Sequence, residues 1–140
     1  MPINGVVENK LRYIEQVLAD LEGWPLGDLR RFAGDSLLRR AVERALRLDV
    51  EAMIDVSERI LAARRMAPGE TAVQNLRRLQ EIGILKDCDG YVEMVRFRSF
   101  IVHRYEQIDP AIVYGLARNK LACFREFVSE IRAACAGGAA

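Results

Sequence analysis

The stretch SLLRRAVERALRLDVEAMIDVSERILAAR, residues 36–64, holds neither glycine nor proline and dominates what the chain can become. Leu38, Val42, Ala45, Met53, Val56 and Ile60 recur at helical spacing and draw one apolar stripe. Leu48, Val50 and Ile54 lie off that stripe, so this helix is expected to touch more than one neighbour. Asp49 falls in the middle of the stripe, where a carboxylate needs either a partner or a polar seam. Glu51 and Asp55, one turn apart, read either as residues facing a site or as a polar flank.

The flanking segments repeat the helical pattern. In VVENKLRYIEQVLADLEG, Leu11, Ile14, Val17, Leu18 and Leu21 mark a buried face and Gly23 a stop. WPLGDLRRFAG reads as a connector, with Pro25, Gly27 and Gly34 as breakers and Asp35 or Ser36 as the next cap. MAPGE interrupts the pattern, TAVQNLRRLQEIGIL resumes it, and KDCDG is a turn. A fourth helix is expected from about Asp89 to Ile108, and a fifth over DPAIVYGLARNKLACFREFVSEIRA, with Asp109 as N-cap and Pro110 at the first helical position. No segment alternates as a strand does. The expectation is an all-α, antiparallel up-and-down bundle of four to five helices. At 140 residues it fits a single domain, placed at 1–136, with a flexible tail at 137–140.

Composition narrows the function classes. A net charge of +1 argues against wholesale nucleic-acid binding but leaves room for a local basic site. Cys88, Cys123 and Cys135 show no C-x-x-C spacing, which suits a reducing cytoplasm and disfavours zinc. Cys88, in an acidic turn, reads as inert. There is no secretory signal pattern and no apolar run long enough for a membrane span, so a cytoplasmic protein is expected. Phosphate loops, dinucleotide fingerprints and nucleophile elbows are absent from the sequence.

The chemistry concentrates in RFRSFIVHRYEQIDP, residues 96–110, which carries the single histidine, His103. Around this helix Met94, Phe97, Phe100, Ile101 and Ile108 share one broad face, while Val92, Val95 and Val102 fall opposite. One face would meet the bundle core, and a second subunit is the expected cover for the other. Ser99 and His103 are one turn apart, and Arg96 is near alignment with them. Arg98 and Tyr105 sit together on a flank. Five residues separate Arg98 from His103, so their convergence needs a wrapped arginine, a distorted helix or a second copy across a twofold axis. An imidazole that titrates near neutrality and a planar guanidinium suit cleavage of a phosphodiester by its own ribose 2′-OH. His103 would move the proton and Arg98 would stabilise charge on the phosphate. On spacing alone, a single helical histidine is more often structural than catalytic, the arginines read equally as a solvated or interface face, and Tyr105 as a packing anchor.

RSFIVHRY resembles the Arg-x4-6-His signature of HEPN domains, and more closely the Arg-x4-His-x-Tyr form of the HepT toxins of HepT/MntA toxin–antitoxin pairs. Arg98, His103 and Tyr105 occupy the three positions. LLRRAVERAL, EAMIDVSERI, LQEIGIL, IDPAIVYGLA and FREFV resemble the successive helices of that family, from about Asp35 to Ile131. The resemblance implies a HEPN-like, homodimeric helical bundle with both Arg-His motifs lining an interface cleft. It implies metal-independent RNA cleavage by Arg98 and His103 with no cofactor. It also implies an MntA-like nucleotidyltransferase antitoxin as partner, which transfers AMP to Tyr105. Two positions depart from the pattern: Ser99 stands where the family usually has asparagine, and Arg96 where it often has glycine. Arg96 also satisfies the six-residue spacing to His103, which makes it, with Ser99, a candidate supporting group at phosphate. The alternative reading is a noncatalytic HEPN module that binds a nucleotide or RNA, or scaffolds a nucleotidyltransferase.

Overall fold

A computed structural model describes residues 5–104 and 109–136, with only the backbone at 101–104. Its helices are α1 (Gly5–Gly23), α2 (Leu29–Gly34), α3 (Ser36–Ala63), α4 (Ala72–Glu81), α5 (Asp89–Arg104), α6 (Pro110–Asn119) and α7 (Leu121–Ala136). No strand occurs among the described residues. The long helices form a ring in chain order: α1 packs on α3, α3 on α5, α5 on α7, and α7 returns to α1. Ion pairs show the direction of that closure. Arg132, late in α7, meets Glu8 and Glu15, early in α1, at 2.7 and 2.8 Å, whereas Arg125, early in α7, meets Glu22, late in α1. The two helices are therefore antiparallel, in an all-α bundle.

Local chemistry starts the helices where the sequence places caps. Asp35 accepts from the Leu38 amide at 3.0 Å, Thr71 from Gln74 at 3.1 Å and Asp109 from Ala111 at 2.9 Å. Each satisfies an amide that has no partner within its own helix. Gly83, at φ +84°, takes the left-handed conformation that ends the α4 segment. At the turn into α5, Glu130 of α7 accepts from the Lys86 amide at 2.7 Å and from the Tyr91 hydroxyl, fixing the start of α5 against α7. The core is one continuous cluster in which Leu11, Ile14 and Leu18 of α1 join Leu46, Val50 and Met53 of α3 and Phe124, Phe127 and Ile131 of α7.

The structure departs from the sequence expectation in three places. The 24–34 connector contains α2. Asp28 caps it at the Arg30 amide, and the buried Phe32 lies 5.6 Å from the Tyr114 ring of α6. The expected fifth helix is two helices that break at Lys120. That break lets α6 lie on α2 and α3 while α7 lies on α1 and α5. Finally, the strip expected to need a second subunit is covered within the chain for its first half. Val92 and Val95 are buried, as are Tyr91 beside them and Met94 toward the other side. The reason is position: α5 is wedged among α3, α4 and α7, so both sides of its first half meet the chain's own core. No helix among the described residues is long and apolar enough to cross a membrane.

Candidate functional site

The second half of α5 changes character. Arg96 and Ser99, three residues apart, are exposed, and Phe100 is 36% exposed. Arg98, on the flank between, is half-buried and points toward α3. Its Nη2 lies 3.6 Å from Glu51 Oε1. Arg47, one turn before Glu51 on α3, approaches the same oxygen with its Nε at 3.8 Å. Both separations exceed the roughly 2.7–2.9 Å of a charge-assisted hydrogen bond. The Nε atoms of Arg47 and Arg98 are closed off from solvent and have no hydrogen-bond partner among the described residues. Among the described residues, two permanently charged forks thus share one carboxylate, an excess of positive charge at this corner.

The acidic pair of α3 divides its work. Glu51 faces α5 and Arg98. Asp55 instead binds Lys10 of α1 at 2.7 Å and Arg59 at 3.1 Å. Burial works against the Asp55 charge, yet the hydrogen bonds from Lys10 and Arg59 hold its carboxyl below the usual aspartate range. Between α1 and α3 runs an open groove of about 630 Å³, lined in part by Lys10, Tyr13, Leu48, Glu51 and Asp55. Its edge at Glu51 adjoins the Arg98 corner.

Asp49 lies two residues before Glu51 and hence on the opposite side of α3. It is completely buried, and neither carboxylate oxygen has a hydrogen-bond partner among the described residues. Neither a paired partner nor a polar seam is present around it within those residues. Burial pushes its carboxyl up to about 8, so Asp49 is mainly protonated at neutral pH. Cys88 is buried too, and burial raises its thiol above the ordinary value, as expected for an unreactive cysteine.

Of the residues singled out by sequence, the structure places Arg98 with Glu51 and leaves Arg96 and Ser99 exposed on another side of α5. His103 belongs to α5, five residues beyond Arg98, but its side chain lies outside the described residues, as does the whole of Tyr105. Arg47 was missing from the sequence reading. Its only signal was the one-turn spacing to Glu51 within RLDVE, residues 47–51, a pattern common on solvated helices. Among the described residues, no group of three or more histidine, cysteine, aspartate or glutamate side chains could hold a metal ion.

Comparison with known proteins gives a consistent answer. The sequence model of the family described as Ribonuclease HepT-like matches residues 10–131. The mRNA nuclease HepT of Shewanella oneidensis is 23% identical over 133 residues, covering 94% of this chain and 99% of that protein. Among solved structures, the tri-AMPylated Shewanella oneidensis HEPN toxin in complex with MNT antitoxin superposes with a TM-score of 0.85 at 23% identity, covering 94% of this chain and 99% of the other. A toxin–antitoxin crystal structure with AMP-PNP superposes with a TM-score of 0.84 at 22% identity, covering 92% and 99%.

Proposed function

The chain belongs to the HepT-like ribonuclease family, and on that premise we propose that it is the toxin of a toxin–antitoxin pair, a cytoplasmic metal-independent endoribonuclease silenced by AMP addition to Tyr105. The observation that carries this reading is the position of the motif within the family match. Arg98, His103 and Tyr105 all fall inside residues 10–131, and among the described residues the Arg98 guanidinium has an unpartnered Nε and only a long approach to Glu51. The relatives support it: one is an mRNA nuclease, another an AMPylated toxin bound to an MNT antitoxin.

The chemistry follows from the groups available. In-line cleavage of RNA needs the 2′-OH proton removed as its oxygen bonds to phosphorus, and a proton delivered to the departing 5′ oxygen as the P–O bond breaks. Each chain has one histidine. Two proton transfers from one imidazole type are met by a homodimer in which His103 of one copy acts as base and His103 of the other as acid. Arg98 binds the phosphate oxygens and stabilises their growing charge. Arg96 and Ser99, both exposed on α5, are supporting contacts to the strand. In this reading residues 1–136 form the working domain. An AMP group on Tyr105, seven residues from Arg98, would bring a bulky anion to the arginine flank and exclude the RNA.

The test is His103→Ala in purified protein. Loss of RNA cleavage and of growth inhibition, with the helical content intact, supports the nuclease reading. Cleavage equal to that of the unaltered protein would remove His103 from the mechanism. Retained binding to a neighbouring nucleotidyltransferase, with no cleavage by either protein, would favour the noncatalytic HEPN module.

A further inference from the structure

Structural arginines on helix surfaces commonly pair with a carboxylate at close hydrogen-bonding distance. The corner between α3 and α5 does not follow that habit. Arg47 and Arg98 come from different helices, yet both turn toward the single oxygen Glu51 Oε1, at 3.8 and 3.6 Å. Each has a buried Nε with no acceptor among the described residues. The terminal parts of the side chains remain reachable, since Arg47, Glu51 and Arg98 are 34%, 40% and 37% exposed. One carboxylate cannot supply two forks with hydrogen bonds at these separations. Among the described residues, the corner has more donors than acceptors and more positive than negative charge.

From this we infer that Arg47 is a second phosphate-binding residue, which with Arg98 brackets one backbone phosphate of an RNA strand. A phosphodiester supplies what the corner lacks: a negative charge and two non-bridging oxygens that separate guanidinium forks can share. Glu51 is then a positioning residue. It orients both forks toward a common point while leaving their hydrogen-bonding capacity unfilled. Arg47 lies on α3, away from the Arg-x4-His motif, so the phosphate would be gripped from two helices at once. The inference rests on the ribonuclease reading and extends it to the substrate contact. The phosphate of an AMP group shares the same chemistry, and protein made without the antitoxin separates the two sources.

The experiment measures binding of a short, mixed-sequence, fluorescein-labelled single-stranded RNA by anisotropy across a salt series. All proteins carry His103→Ala to prevent turnover, and the main set is made without the antitoxin. Arg47→Gln is expected to weaken binding about tenfold and to flatten the slope of log affinity against log salt by about 0.7, the loss of one phosphate contact on a single strand. Arg47→Lys keeps the charge and should restore the slope while recovering only part of the affinity, because the fork is gone. Arg98→Gln serves as the companion. If Arg98→Gln weakens binding while Arg47→Gln leaves affinity and slope unchanged, Arg47 is only an ion-pair partner of Glu51, and the inference falls while the nuclease reading stands. A parallel set co-expressed with the antitoxin carries AMP; if Arg47→Gln changes affinity or slope only in that set, the phosphate is that of the modification and the RNA contact is overturned. No RNA binding by any of these proteins would overturn both readings.

Discussion

Glu51 of α3 and Arg98 of α5 face each other across the helix seam with 3.6 Å between Oε1 and Nη2. That distance is close enough to orient the arginine and too long to occupy it. The carboxylate is also an anion beside a proposed phosphate site. Glu51→Gln keeps an oxygen that can orient both arginines and removes the competing charge. RNA binding in the His103→Ala background should tighten about threefold, the scale of a partly exposed ion pair. Anisotropy titration checks this, and an unchanged affinity would place Glu51 outside the electrostatics of the site.

Asp49 should make the fold sensitive to alkali. Its carboxyl is raised to about 8 by burial, from an ordinary value near ~3.9 in the unfolded chain. The folded state therefore holds its proton more tightly. Between about pH 4 and 8 the unfolded chain releases that proton first, so stability falls as pH rises through that window and levels off above it, by at most about 6 kcal/mol. Asp49→Asn removes the titration. Urea unfolding at pH 5 and pH 8 should show a large loss for the unaltered protein and a much smaller one for the variant, which becomes the more stable of the two at pH 8.

Tyr105→Phe should separate silencing from cleavage. The ring survives and the acceptor oxygen is lost. Co-expressed with a neighbouring nucleotidyltransferase, the unaltered chain should gain mass in whole AMP units and the variant none. The variant should remain able to cleave RNA and should stay toxic in the presence of the antitoxin. Intact-mass measurement and a growth assay provide the two readings, and AMP on the Phe variant would move the modification to another residue.

Arg132 clasps α7 to α1 through Glu8 and Glu15 at 2.7 and 2.8 Å. The hydrogen bond from Arg132 holds the Glu8 carboxyl below its ordinary value, helped further by Arg12. A depressed carboxyl contributes stability that is present above its unfolded value and lost as pH falls through the folded one. Arg132→Ala should cost about 1 kcal/mol at neutral pH and less in acid, read from thermal unfolding at both pH values. An equal loss at the two pH values would assign the effect to packing of the arginine stem.

Much of the fold could be read from spacing. The buried positions of α1, Leu11, Ile14, Leu18 and Leu21, follow from three- and four-residue steps, and Asp35 and Asp109 cap where their side chains can reach a free amide. What spacing does not encode is the number of neighbours around a helix. Val92 and Val95 looked like a face in need of a second chain because the sequence cannot show that α5 is wedged among α3, α4 and α7. The α6–α7 break was hidden for a related reason. Arg118, Asn119 and Lys120 suit a helix end and a solvated helix interior equally well, and only the different partners of α6 and α7 force the break. At the site, Arg98 was visible through its motif. Arg47 was not, because its role depends on a meeting of two helices far apart in the chain.

The division within α5 also bears on how such proteins diverge. Its first half is held by its neighbours: Tyr91, Val92, Met94 and Val95 are buried, and Glu130 secures its entry. Arg96 and Ser99, the two positions where the chain departs from the HepT pattern, both point to solvent in the second half. Substitutions there meet little packing within the chain, so selection can vary this end of the helix without disturbing the fold. If the chain is the proposed nuclease, a lineage could change its RNA preference there in single steps that leave the packed half of α5 untouched.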